Sequence, residues 1–132
     1  MKQLVWDDVL SIGNDEIDND HRILVDLFNL LGRSVSDGAE SRYVAAVLAE
    51  LINATAWHFS HEERLMLENA YPDRDLHRRD HRALMTSVRD LEQHYLNRGE
   101  LEEADFDFLE SWLTEHILVA DMKFGTFLLE SA

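Results

Sequence analysis

His58 and Glu62, in the stretch Trp57-His58-Phe59-Ser60-His61-Glu62-Glu63, stand four residues apart. On an α-helix that is about 40° around the axis and ~6 Å along it, so an imidazole and a carboxylate can reach one metal cluster. His77 and His81 repeat the spacing with two imidazoles, His21 lies near the start of another apolar stripe, and His116 is followed five residues later by Asp121. Taken singly, such residues are common on solvated helix faces, and a lone core histidine is more often a hydrogen-bonded one than a ligand. Taken together they make a specific donor set. Five imidazoles with two carboxylates suit iron, and seven donors are too many for one ion, so two ions are implied.

The elements that must position these residues are helices. An apolar stripe from about Asp18 runs through Leu24, Phe28, Leu31 and Val35 and stops at Ser36-Asp37-Gly38. A second helix, about Ser41 to Asn69, carries Val44, Val47, Leu48, Leu51, Thr55, His58, Glu62 and Leu65 on one face. Pro72 marks a break, after which His77, His81, Leu84, Val88, Leu91 and Tyr95 form a third stripe closing at Asn97-Arg98-Gly99. A fourth helix begins after the acids Glu102 to Asp105 and turns Leu109, Trp112, His116 and Ile117 inward. Residues 1–17 read as an extended arm, with the turn-like Ser11-Ile12-Gly13-Asn14-Asp15 and with Trp6 as its anchor on the bundle. The chain therefore reads as one all-α domain over 1–132. It comprises the arm, an antiparallel up-down-up-down four-helix bundle over about 18–121, and a short C-terminal segment over about 122–132.

Composition narrows what such a bundle does. With 45% apolar and 30% charged residues the chain is globular rather than disordered. Without cysteine it has neither disulfide nor thiolate metal site. Its formal charge of −15 repels phosphate backbones and anionic lipid, so nucleic acid and membranes are excluded as partners, whereas cations are favoured. Lacking an apolar leader or a bilayer-spanning run, it reads as soluble and cytoplasmic.

The topology then makes a test. In an up-down-up-down bundle one end gathers the starts of helices one and three and the ends of helices two and four. His21, His58, Glu62, His77, His81, His116 and Asp121 all fall at that end. Burying so many ionisable groups among Leu and Phe costs several kcal/mol per charge unless something compensates, and a metal cluster does so. The two remaining histidines fall outside: His94 points about 100° away from His77, and His61 about 60° to the side of His58. If Glu62 and Asp121 bridge two ions, one ion takes three histidines and the other two, which leaves the second with an open position for a small ligand. One local distortion is also required. His116 and Asp121 are about 140° apart on an ideal α-helix, so the helix must end, bulge or tighten between Leu118 and Asp121.

At this point the residues resemble a known family, the hemerythrins, in particular the single-domain bacterial ones. The resemblance runs from Trp6 to about Phe124. It rests on Ser-Ile-Gly-Asn-Asp-Glu-Ile-Asp leading to His21, on His58-Phe59-Ser60-His61-Glu62-Glu63, on His77 and His81, and on Trp112-Leu113-Thr114-Glu115-His116-Ile117 leading to Asp121. It implies an oxo- or hydroxo-bridged di-iron centre in which His77, His81 and His116 hold one iron, His21 and His58 hold the iron that takes dioxygen, and Glu62 and Asp121 bridge. The implied activity is reversible dioxygen binding for storage, transport or delivery, with an oxygen-consuming enzyme as the recipient, and not an enzymatic turnover. Reversibility needs a dry apolar pocket, for which Phe59, Trp112, Leu113, Ile117 and Leu24 or Val25 are the candidates. Two other classes stay open: an oxygen or redox sensor acting through a partner, and a di-iron oxidase or peroxidase. The latter sites use mostly carboxylates, with Glu-x-x-His on two helices, unlike the histidine-rich set here.

Overall fold

The computed structural model of the chain describes residues 11–131. Its described elements are the helices α1 (Asp15–Ser36), α2 (Ser41–Glu68), α3 (Arg74–Arg98) and α4 (Glu103–Glu115), a π-helical turn (His116–Asp121) and α5 (Met122–Glu130). The last three follow one another without a break and form the fourth rod of the bundle. α1 packs on α2 and α4, and α3 packs on the same two helices, as an antiparallel bundle requires. No helix among the described residues is long and apolar enough to cross a membrane.

Local chemistry sets the ends of these helices. α1 starts where the Asn14 side chain accepts a hydrogen bond from the Ile17 amide at 3.1 Å, with Asp15, Glu16 and Asp18 in its first turn. The start lies three residues before the position read from the apolar stripe, because the cap and not the stripe sets the boundary. Only Ser11–Asn14 of the arm precede the helix among the described residues, and Trp6 lies outside them. α3 ends at Gly99, whose φ of 78° closes the helix in the left-handed conformation a side chain disfavours. α4 opens with Asp105 Oδ2 accepting from the Glu102 amide at 2.9 Å.

A main core runs along the bundle axis through Leu24, Phe28, Leu31, Leu48, Leu51, Val88, Leu109 and Leu113, each of which contributes about 1.5–3 kcal/mol on burial. A second, smaller cluster of Ile12, Ile17, Met66, Tyr71 and Phe124 closes the end of the bundle near α5. It corrects two sequence readings. Residues 122–130, read from sequence only as part of a short C-terminal segment, form α5, which turns Phe124 and Gly125 into the interior. On α2, the residue buried after Glu62 is Met66 rather than Leu65. The layer of polar side chains sits between these two apolar clusters.

Candidate metal centre

Each of the four rods delivers part of that layer. α1 brings His21, α2 brings His58 and Glu62, α3 brings His77 and His81, and the fourth rod brings His116 and Asp121. All seven are buried, and His21, Glu62 and Asp121 have no exposed surface. They form two overlapping groups whose candidate ligand atoms lie within 4.8 Å of one another. One is Glu62, His77, His81, His116 and Asp121; the other is His21, His58, Glu62 and Asp121.

The two carboxylates shared by the groups face both ways. Asp121 Oδ2 lies 2.7 Å from His21 Nε2 and 3.0 Å from His58 Nε2, while Oδ1 lies 3.0 Å from His77 Nε2 and 2.9 Å from His116 Nε2. Glu62 likewise turns one oxygen to each group. Its Oε1 is 2.7 Å from His77 Nε2, 3.2 Å from His81 Nε2 and 4.0 Å from His116 Nε2, and its Oε2 is 3.7 Å from His58 Nε2. The distortion required of the fourth rod is the π-turn over His116–Asp121. The wider i→i+5 turn narrows the angle between residues five apart, which brings Asp121 within reach of His116. The helix bulges rather than ends or tightens.

Electrostatics couple the buried imidazoles to the two carboxylates. Burial drives the His58 pKa down, but hydrogen bonds to Asp121 and Asp20 and the charges of Glu62 and Asp121 outweigh it, and the value rises to about 10. The same balance, with close approach to Asp121 and Glu62, raises His77 to about 9. Burial pushes Asp121 upward, yet the His116 charge and close contacts with His116, His21 and His58 hold it well below the ordinary carboxylate value.

Protons alone do not satisfy the set. His77 Nε2 is close to Glu62 Oε1, yet neither oxygen of Glu62 accepts a hydrogen bond of good geometry, and His81 Nε2 and His116 Nε2 are likewise buried without one. His21 Nε2 and His58 Nε2 stand 3.3 Å apart. Buried donors and acceptors that converge without pairing, on a set rich in imidazole with two carboxylates, fit metal ions such as iron.

The apolar residues expected around the centre are all buried: Leu24, Val25, Phe59, Trp112, Leu113 and Ile117. Phe59 lies flat on His81, with ring centroids 3.8 Å apart and planes 6° apart, and meets Trp112 edge-on. Surface grooves reach the other flank, where one is lined by Leu84, Trp112, His116 and Val119. His94 is exposed, and His61 stands outside both donor groups.

Two residues were missed from sequence. Asp20 Oδ2 lies 3.3 Å from His58 Nδ1 and 2.6 Å from His61 Nδ1, and Glu63 Oε2 lies 3.1 Å from His81 Nδ1. Each is the immediate neighbour of a donor in sequence, Asp20 before His21 and Glu63 after Glu62. The partner that each meets lies on another helix, so adjacency gave no sign of it.

Comparison with known proteins gives a consistent picture. The family model described as a hemerythrin HHE cation binding domain matches residues 12–128. A bacteriohemerythrin from Pseudomonas paraeruginosa is 32% identical over 117 residues, covering 89% of this chain and 76% of that protein. A myohemerythrin from Riftia pachyptila is 29% identical over 120 residues, covering 91% of this chain and 89% of that protein. The crystal structure of a wild-type hemerythrin superposes with a TM-score of 0.87 at 25% identity, covering 99% of this chain and all of that one.

Proposed function

The chain belongs to the hemerythrin family, and from that premise we propose that it binds dioxygen reversibly at a non-haem di-iron centre, for storage, transport or delivery. The observation that carries the reading is the division of labour at Glu62 and Asp121. Each carboxylate turns one oxygen toward His77 and His116 and the other toward His58, which is the disposition a bridging ligand needs.

In this reading His77, His81 and His116 hold one iron, His21 and His58 hold the other, and Glu62 and Asp121 serve both. A pair of irons held there would supply reversible two-electron chemistry toward dioxygen. The protein's own work is to hold the donors and keep water away. Two carboxylates would offset two of the four positive charges of a ferrous pair, and imidazoles bind as neutral ligands, so the raised His58 and His77 must give up their protons as metal enters. Leu24, Val25, Leu113 and Ile117 offer no proton donor, and each is at most 2% exposed. A dry wall of this kind favours release of dioxygen over its further reduction. The histidine-rich donor set favours a carrier over an oxidase. An oxygen-consuming enzyme is the proposed recipient.

The test is to load the protein with ferrous iron under argon and cycle it between oxygen and argon while recording absorbance. A carrier gives a spectrum that appears and disappears over repeated cycles with no net oxygen consumption. Steady oxygen consumption with added reductant would instead establish an oxidase.

A further inference from the structure

Each of the two donor groups contains one histidine whose outward ring nitrogen is engaged by a carboxylate outside the group. In the group with His21, that histidine is His58: its Nδ1 meets Asp20 Oδ2 at 3.3 Å while its Nε2 faces Asp121. In the group with His77 and His116, it is His81: its Nδ1 meets Glu63 Oε2 at 3.1 Å while its Nε2 faces Glu62. Both carboxylates are themselves braced from the outer side. His61 Nδ1 donates to Asp20 at 2.6 Å and His61 Nε2 reaches the exposed Glu16 at 3.1 Å. Arg78 Nε donates to Glu63 Oε1 at 3.1 Å. His21 provides the contrast, since its buried Nδ1 has no partner.

We propose that Asp20 and Glu63 are positioning residues, one for each iron, which fix His58 and His81 with the proton on Nδ1 and the Nε2 lone pair turned to the metal. The inference rests on the di-iron reading above. The physical reason is twofold. A carboxylate that accepts from Nδ1–H selects the tautomer in which Nε2 is free to coordinate, and its negative charge makes that nitrogen a stronger base. The brace matters because the carboxylate must not swing into the centre and compete for metal. His61 and Arg78 hold Asp20 and Glu63 at the rim. His61, which has metal-ligand chemistry and sits one residue from Glu62, thus has a role as a clamp on the clamp. A purely structural role, tying α1 to α2 and α2 to α3, would affect fold stability without distinguishing one iron from the other.

The experiment is an anaerobic titration of the full chain with ferrous iron against a competing chelator, with circular dichroism to verify folding. The parent chain binds two equivalents. In Asp20→Ala one equivalent binds about 10–100-fold more weakly and the other keeps its affinity, and Glu63→Ala gives the same pattern. The double variant decides whether the targets differ: both equivalents are then weak, whereas a shared target would leave one tight. Asp20→Glu restores the first. Asp20→Asn and Glu63→Gln, which keep shape but drop the charge, weaken the same equivalents by smaller factors and serve if an alanine variant does not fold. Parent-like affinity in the folded single variants, or equal weakening of both equivalents by one of them, overturns the assignment. A parent chain that binds fewer than two ferrous ions overturns the di-iron reading itself.

Discussion

His116 Nε2 lies 2.9 Å from Asp121 Oδ1, although the two residues are five apart on one continuous rod. The widened turn between them makes Asp121 available to both donor groups, and Glu62 reaches both from the opposite wall. Removing either carboxylate therefore takes a donor from each half of the centre at once. Glu62→Ala and Asp121→Ala are expected to leave well under one iron per chain, not one. Iron analysis of the purified folded variants checks this, and a stoichiometry of one in either would mean that the carboxylate serves a single ion.

Metal should also hold the bundle together, since the donors come from all four rods. Metal bound only by the folded state adds about 2.7 kcal/mol of stability when free metal stands at 100 times its Kd. For a domain of this size that is roughly 10 °C in Tm. Melting the iron-loaded and chelator-treated proteins side by side tests it, and coincident curves would rule out a centre that joins the rods.

Leu113 stands three residues before His116 on the inner face of α4 and is 1% exposed. Leu113→Asn introduces a polar amide into the proposed dry wall, at a stability cost of about 2–5 kcal/mol. The oxygenated form is expected to decay to the ferric state markedly faster than in the parent, with near-normal iron content. An unchanged decay rate in the folded, fully loaded variant would show that Leu113 does not border the ligand.

Stability of the metal-free protein should fall in alkali. His58 and His77 have pKa values raised to about 10 and about 9 from an ordinary 6.5, so the folded state binds their protons more tightly than the unfolded chain does. That contribution is complete below about pH 6.5 and is lost as pH climbs through 9 and 10. The metal-free Tm is therefore expected to drop between pH 7 and 10. With iron replacing the protons, the loaded protein should show little change from this source over the same range. Parallel melts at pH 7, 8.5 and 10 give the answer.

Gly125 is a packing requirement. A Cβ at this position would lie 2.5 Å from the Ile12 carbonyl oxygen and 2.8 Å from its Cβ. Gly125→Ala is expected to cost about 1–3 kcal/mol, because backbone must move to accept it. A variant that melts with the parent would show that Ser11–Asn14 yields freely.

The seven donors were legible because their signal is joint: each lies on an apolar helical stripe, and bundle topology sends all the stripes' polar members to one end. The π-turn was legible as a geometric contradiction, since His116 and Asp121 cannot share a face of a regular helix. Asp20 and Glu63 were not, because they act across helices and their sequence neighbours, His21 and Glu62, are not the residues they hold. The start of α1 was displaced for a similar reason. Asn14 caps the helix with a single hydrogen bond, and Asp18, at the expected start, instead accepts from Ser11 Oγ and the Ile12 amide. α5 was passed over because Phe124 packs against Tyr71 and Gly125 against Ile12, residues far away in sequence.

That last contact ties the two ends of the described chain to the metal layer. Ile12 is gripped on one side by the Asp18 carboxylate, three residues before His21, and pressed on the other against Gly125, four residues after Asp121. Pulling on Ser11–Asn14 thus loads α1 and α5 together, and through them a donor in each rod. Local opening at this end is therefore expected to disturb α1 and α5 together.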